Sequence, residues 1–197
     1  DITGAGTQSF ASAAVLSAQR DIGLSGLLQA NSIQVTGGNN AALHDITSAT
    51  TLAVTANGNA GEGDVSVAGT ASAAGAVTLT AARDVLVQGS VGSSSTVGLV
   101  AQRDVTIAGS VNSTGDLSID AKTGNASLNG STTTSGALTV TSGLDTRLGG
   151  QTNATGSIDV EAGRNIALDG PLAGQSSGTL SAGQDITGAG TAAFGQA

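Results

Sequence analysis

Aspartate and asparagine recur at nearly constant intervals along this chain of 197 residues, and each could take part in chemistry. Regularly spaced carboxylates could form a ladder of calcium sites, but each such site needs about six to eight oxygens. Tight turns favour the same residues, because their side chains accept backbone N–H groups. We therefore expect a turn role for Asp1, Asp21, Asp45, Asp64, Asp84, Asp104, Asn125, Asp145, Asn165 and Asp185.

Basic side chains stand immediately before several of these turn residues. They are Arg20, His44, Arg83, Arg103 and Arg164. A column of cations could bind an acidic glycan, but here it alternates with carboxylates. We favour local charge balance, since exposed ion pairs contribute little else. With one histidine and no cysteine, the chain has no familiar zinc or Cys–His site, and we expect no cofactor or metal.

Another carboxylate group could serve glycoside hydrolysis. Asp159 and Glu161 project from one face of a predicted strand, and the repeat places Asp120 two units away from Glu161. Paired carboxylates are the machinery of glycosidases. The alternative is an exposed polar face, and the chain has no Trp or Tyr on which a sugar ring could stack. We expect no catalytic residues and no enzyme activity.

Short alternating stretches follow the turn residues and predict strands with one buried face. In "ARDVLVQGSV" (82–91) and "QRDVTIAGSV" (102–111), apolar side chains occupy every second position after the aspartate. A glycine follows each stretch, as a turn requires. The predicted structural turn column comprises Asp21, Asp64, Asp84, Asp104, Asn125, Asp145, Asn165 and Asp185. The predicted inward side chains are Val85, Val87, Val105, Ile107, Leu117, Ile119, Ile158 and Val160.

A repeat of about 20 residues determines the predicted architecture. The opening "DITGAGT" (1–7) returns at 185–191, nine units later, so we interpret the two copies as equivalent turns. Units of constant polarity fit a parallel β-helix, in which each strand stacks on its counterpart about 4.8 Å away. Nine to ten coils would form a rod roughly 45 Å long. The step from Asp21 to Asp45 is longer than the others and predicts an extra loop that includes "GGNN" (37–40). The short step after Asp45 predicts a shortened side.

Composition excludes several classes of partner. The net charge is −8 with only six Lys and Arg, which argues against binding to nucleic acid or an anionic membrane. No apolar run approaches the length of a membrane-spanning helix, so we expect no membrane insertion. Large side chains are scarce, with two Phe and no Trp, Tyr or Met. Such a chain can fill only a narrow aliphatic core.

Units reading "A-x-R-D-V-x-V-x-G-x-V" resemble the repeats of filamentous haemagglutinin and related exoproteins of bacterial two-partner secretion. The resemblance covers nearly the whole chain and is best in 81–121 and 156–191. It implies a right-handed parallel β-helix, export through an outer-membrane partner, and a secreted or cell-surface location. It implies a role as adhesin shaft, in host attachment, biofilm or contact-dependent inhibition, with no catalytic residues to transfer.

The resemblance also leads us to expect one β-helix domain over 1–197, as an internal piece of a longer rod. An alternative function is a module that binds glycans or itself through an exposed strand face. A polysaccharide-degrading enzyme is the third hypothesis. Because coil edges are unpaired at the ends of such a piece, we also expect end-to-end self-association.

Overall fold

The computed structural model describes residues 1–58 and 61–195, and within them it contains 27 strands and no helix. The strands are β1 Ile2–Gly4, β2 Gln8–Ser9, β3 Ala13–Ala18, β4 Ile22–Ala30, β5 Ser32–Gly37, β6 Ala41–Ser48, β7 Leu52–Ala56, β8 Val65–Val67, β9 Thr70–Ala73, β10 Val77–Ala81, β11 Val85–Val87, β12 Ser90–Ser93, β13 Val97–Ala101, β14 Val105–Ile107, β15 Ser110–Ser113, β16 Leu117–Ala121, β17 Ala126–Leu128, β18 Ser131–Thr134, β19 Leu138–Ser142, β20 Thr146–Leu148, β21 Thr152–Ala154, β22 Ile158–Ala162, β23 Ile166–Leu168, β24 Leu172–Gly174, β25 Gly178–Ala182, β26 Ile186–Thr187 and β27 Ala192–Phe194.

The strands form a three-sided parallel β-helix of ten coils. The first side runs from β1 through β11 to β26, and the second from β2 through β12 to β27. Both belong to one 18-stranded sheet, because the long strands β4 and β6 each serve both sides. The third side is a nine-stranded sheet from β3 to β25. The expected all-β parallel solenoid, with about 20 residues per coil, is confirmed.

We number the coils by the residue before each first-side strand, at what we call the first corner. These residues are Asp1, Asp21, Asn40, Asp64, Asp84, Asp104, Asn125, Asp145, Asn165 and Asp185. The second corner joins the first and second sides, and the third corner joins the second and third sides.

Coil 3 departs from the predicted spacing. Ile22 pairs with Ala41, so Asn40 occupies the first corner and the assignment of Asp45 to this column was wrong. Asp45 pairs with Leu27 at the second corner, and His44 therefore lies outside the column of arginines. The long step runs from Asn40 to Asp64, not from Asp21 to Asp45.

The extra residues of coil 3 lie in one segment. Nine positions separate Ala56 from Val65, whereas four separate Ala81 from Val85. The prediction of a bulging loop at 37–40 was therefore wrong, because Gly37 is in β5 and Ala41 is in β6. The inserted segment is 57–63, of which residues 59 and 60 lie outside the described residues.

A narrow aliphatic core runs the length of the coils. Alternate residues of each strand face inward because successive side chains of a strand point to opposite faces. All eight side chains that the alternation places inward, from Val85 to Val160, are at most 1% exposed. Each stacks on its counterpart in the next coil, as Val85 does on Val105 and Leu117 on Leu138.

The glycines at the second corner allow neighbouring coils to approach closely. A Cβ atom at Gly109 would lie 1.7 Å from the carbonyl oxygen of Gly89, and one at Gly89 would lie 1.9 Å from that of Gly69. No side chain fits at such distances. Stacking at the ordinary strand separation therefore requires glycine at this corner in these coils.

Candidate functional site along the first corner

The first corner carries a continuous ladder of side-chain hydrogen bonds that joins all ten coils. Each Asp or Asn accepts, through Oδ1, the backbone N–H of its counterpart in the next coil, at 2.8–3.3 Å. The pairs, acceptor first, are Asp1–Asp21, Asp21–Asn40, Asn40–Asp64, Asp64–Asp84, Asp84–Asp104, Asp104–Asn125, Asn125–Asp145, Asp145–Asn165 and Asn165–Asp185.

This geometry refines the predicted turn role. The oxygens accept N–H groups of the neighbouring coil, whereas a local turn would use the residue's own segment. Within the described residues no non-glycine residue has positive φ, so these positions do not exploit unusual backbone conformations. Asparagine and aspartate both work here because the ladder needs only one side-chain oxygen.

Arginines of the following coil reinforce the ladder at four of its aspartates. Arg103 donates from Nε to Asp84 Oδ1 at 2.8 Å, and its Nη2 binds Oδ2 of the same carboxylate. Arg164 binds Asp145 in the same two-pronged way, with Nε 2.9 Å from Oδ1. Two parallel N–H···O bonds to one carboxylate form the strongest type of ion pair.

Two further arginines complete the set. Arg83 binds both oxygens of Asp64, and its other terminal nitrogen donates to the carbonyl of Gly61 in the inserted segment. Arg20 binds Asp1 at 2.6 Å. Each guanidinium therefore neutralises the carboxylate of the preceding coil, as expected for local charge balance.

The ion pairs shift the ionisation of both partners. The two hydrogen bonds from Arg164 lower the pKa of the Asp145 carboxyl to about 2, and the bond to Asp145 raises the pKa of Arg164. Burial favours the neutral form of Asp84, but hydrogen bonds from Arg103 and from the Asp104 N–H more than offset it, so its pKa is lowered. These carboxylates are ionised and engaged at neutral pH.

A shallow groove of about 410 Å³ lies beside the ladder over coils 3 to 6. Its lining includes the carboxylates of the first corner, Arg83 and the hydroxyls of Ser66 and Thr106, around the outward side chain of Leu86. Sequence reasoning missed this groove, because Leu86 stands at an outward position where most coils carry a small or polar residue.

His44 and Asp45 form a separate pair at the second corner. His44 Nδ1 lies 2.8 Å from Asp45 Oδ2, and Asp45 Oδ1 accepts the Thr70 N–H at 2.9 Å. The Thr70 bond and then the His44 bond lower the pKa of Asp45. Asp45 thus repeats, one corner away, the coil-to-coil bonding of the ladder.

The remaining candidate carboxylates lie on the third side. Asp159 and Glu161 are both exposed on β22. Asp120 pairs with Thr141, which pairs with Glu161, so Asp120 lies two coils away as predicted. In the described part of the chain, no three His, Asp or Glu side chains are grouped so that they could hold a metal ion.

Fold and corner together define the chain as a parallel β-solenoid repeat protein. No family model matches it, and neither a curated protein nor a solved structure shows a match. Among the described residues there is no helix that could span a membrane.

Proposed function

We propose that this chain is a shaft segment of a large secreted bacterial adhesin, which holds a binding tip away from the cell surface. The observation that supports this role is the continuity of the first-corner ladder, which links ten coils without interruption. A shaft needs length and resistance to bending, and both come from coil-to-coil bonds repeated along the axis. The resemblance to filamentous haemagglutinin repeats supports the same role.

The proposal also covers the secretion route and the final location of the protein. Export occurs through an outer-membrane partner of two-partner secretion, and the mature protein lies on the cell surface or is released. The parent is an adhesin, a biofilm matrix protein or the shaft of a contact-dependent inhibition protein. The chain itself is not an enzyme and takes no cofactor, nucleic acid or membrane as partner.

An attachment assay with bacteria that carry the full-length protein tests the shaft role. Alanine at His44, Asp159 or Glu161 should leave attachment unchanged, because a shaft has no indispensable exposed side chain. Deletion of residues 105–145, which removes two coils, should also be tolerated. Loss of attachment from one of these alanines, with an unchanged circular dichroism spectrum, would replace the shaft by a binding module.

The groove beside the ladder favours glycan binding as a second candidate function. Carboxylates, hydroxyls and a guanidinium surround an apolar side chain, and such convergent polar groups suit a sugar. A glycan array with the chain tests this directly. Leu86→Glu should abolish glycan binding, whereas Thr106→Ser should preserve it. If no glycan on the array bound the chain, this second candidate function would be wrong and the shaft role would remain.

A further inference from the structure

The polar part of the core is concentrated in two adjacent coils. Five of the seven buried polar side chains in the described part of the chain lie in coils 7 and 8, namely Thr132, Thr134, Ser142, Thr146 and Thr152. Thr132 stacks on Thr152 across the interface between these coils, and neither Oγ1 atom has a hydrogen-bond partner among the described residues. Such hydroxyls disfavour the closed interface, because water hydrates them once the coils separate.

A second pair of hydroxyls lies where coil 7 leads into coil 8. Ser142 Oγ is 2.8 Å from Thr146 Oγ1, and both side chains are buried. The neighbouring coils carry alanine at the position of Ser142, and Ile166 follows Thr146 in coil 9. The two hydroxyls satisfy each other, but they take the place of aliphatic groups. Coils 7 and 8 therefore share less apolar stacking than their neighbours do.

The arginine–aspartate pairs of the first corner are also missing at this interface. Leu144 stands where coils 5, 6 and 9 carry arginine, and the residue below it in coil 7 is the neutral Asn125. The ladder here consists of one bond, from the Asp145 N–H to Asn125 Oδ1 at 3.2 Å. Hydrogen bonds between neutral groups are about half as strong as those to a charged group. The corner therefore holds coils 7 and 8 together more weakly than coils 8 and 9.

One arginine does cross this interface, at the second corner. Arg147 of coil 8 donates from Nη1 to Asn129 Oδ1 in coil 7 at 2.9 Å, and from Nε to Asp169 Oδ2 in coil 9 at 2.8 Å. Gly149 occupies the corner position between Asn129 and Asp169, and a Cβ atom there would lie 3.4 Å from Arg147 Cζ. Glycine thus leaves room for the guanidinium to lie across three coils.

We propose that the interface between coils 7 and 8 is a reversible joint, at which the coils from 4 to 9 separate first, and that Arg147 is the latch that holds it closed. In a repeat protein, openings occur where the interface between neighbouring units is weakest, and the blocks on either side stay folded. The two blocks remain linked through residues 143–145, so closing is an intramolecular step over a short connection.

Such a joint lets the solenoid yield at one defined place when it is pulled, and then close again. The unsatisfied hydroxyls and the neutral corner lower the cost of opening, while the latch on the surface sets how often it occurs. Because the guanidinium of Arg147 is half exposed, water can replace its bond to Asn129 without any rearrangement of the core. The joint does not depend on the proposed role as shaft.

Hydrogen exchange of single amides, followed by NMR, tests where the opening occurs. Three amides begin equivalent third-side strands, and each donates to the following coil. Val97 reports on the interface between coils 5 and 6, Leu138 on that between coils 7 and 8, and Ile158 on that between coils 8 and 9. The Leu138 amide should exchange about tenfold faster than the other two. Exchange of Val97 or Ile158 as fast as that of Leu138 would overturn the proposal, since the opening would not be confined to this interface.

Arg147→Ala tests the latch. Loss of its bond to coil 7 should speed exchange of the Leu138 amide a further three- to tenfold or so. Arg103→Ala is the matched control, because it removes an arginine that ties coil 6 to coil 5. It should speed exchange of Val97 and leave Leu138 unchanged. Equal acceleration of Leu138 by both variants, or none by Arg147→Ala, would show that Arg147 is not a latch.

The joint should also close when its core is made apolar. Thr132→Val combined with Thr152→Val keeps the shape of both side chains and removes the two unsatisfied hydroxyls. Exchange of the Leu138 amide should slow about tenfold or more, with Val97 unchanged. If the double variant left exchange of Leu138 as it is in the unmodified chain, or slowed Val97 equally, the interface between coils 7 and 8 would not be the joint.

Discussion

Two buried hydroxyls in coils 7 and 8 weaken the core. Thr132 and Thr152 are 0% exposed and stack on each other, yet their Oγ1 atoms have no hydrogen-bond partner among the described residues. An unsatisfied buried hydroxyl costs about 1–3 kcal/mol. Thr132→Val keeps the shape and removes the polar atom, so we expect it to raise stability by about 1 kcal/mol in thermal melts followed by circular dichroism.

Thr134 provides the control on the same strand. It is equally buried, but its hydroxyl donates to the carbonyl of Gly115 and accepts the Gly136 N–H at 3.1 Å. Thr134→Val should therefore lower stability by about 1–3 kcal/mol, because the Gly136 N–H loses its partner and the Gly115 carbonyl keeps only its bond from Ser113 Oγ. If Thr132→Val and Thr134→Val shifted the melting temperature in the same direction, hydrogen bonding would not be what decides the stability at these positions.

Neighbouring residues of β14 test the inward register. Val105 is 0% exposed, whereas Thr106 points outward. Val105→Asp should cost about 3–5 kcal/mol, since it buries a charge without a partner. Thr106→Asp should leave the melting temperature nearly unchanged. Equal effects of the two substitutions on the melting temperature would mean that Val105 does not point into the core as described.

Acid should weaken the first corner through Asp145. Its pKa is about 2 in the folded chain against 3.8 for the free group. A lowered pKa adds stability above pH 3.8, and this contribution is lost as the pH falls from about 3.8 towards 2. Asp145→Asn keeps the ladder oxygen but removes the charge, so its stability should fall less steeply over this range in melts at successive pH values. Asp159→Asn, on the exposed third side, should follow the unmodified chain.

Most strands followed from the sequence because the coils repeat both the alternation and the corner chemistry. The position of coil 3 could not be predicted in this way, because the coil lacks one residue at the second corner. Three positions separate Leu43 from Ile46, instead of the four between Val67 and Ala71. It also gains residues at 57–63. "DIT" at 45–47 matches the start of the repeat, so the sequence pattern favours Asp45, although pairing with coil 2 selects Asn40.

The candidate site could be predicted only in part. The columns of Asp, Asn and Arg were visible, because they recur with the coil period. The direction of their bonds was not, since spacing alone does not show whether a side-chain oxygen reaches its own turn or the next coil. The groove at Leu86 depends on one exceptional outward residue, and a repeat pattern does not reveal exceptions.

Arg83 should protect the inserted segment from proteolysis. Its guanidinium binds Asp64 and the carbonyl of Gly61, and so joins the segment to the ladder. Limited proteolysis should first cleave within 57–63, where the chain departs most from the regular corner. Arg83→Ala should speed this cleavage several-fold.

Arg103→Ala is the matched control for that experiment. It removes the equivalent pair of hydrogen bonds to the Asp84 carboxylate, and Arg103 makes no hydrogen bond to the described part of the inserted segment. The rate of cleavage at 57–63 should stay unchanged in this variant. Equal acceleration in both variants would show that the arginine–aspartate pairs stabilise the coils in general. First cleavage within 85–120 would contradict the coil assignment.

At the scale of the whole molecule, stability should be nearly a sum over coils and their interfaces. Each coil contacts only its neighbours through parallel pairing, core stacking and the corner ladder. A deletion is therefore tolerated when it removes whole coils and restores the same columns. Residues 105–145 meet this condition, because their removal joins Asp104 to Thr146 and places Arg164 and the Asn165 N–H beside Asp104, as they are beside Asp145.

We expect the chain without residues 105–145 to fold into a rod shorter by about 9.6 Å, two layers of about 4.8 Å each. Small-angle X-ray scattering should show the shorter maximum dimension with an unchanged cross-section. Deletion of 105–134 removes fewer residues but joins Asp104 to Ser135, so a first-corner residue is followed by a third-corner sequence and the columns no longer match. This variant should lose its cooperative melt. If both deletions folded equally well, the stacking of matched columns would not be what holds the rod together.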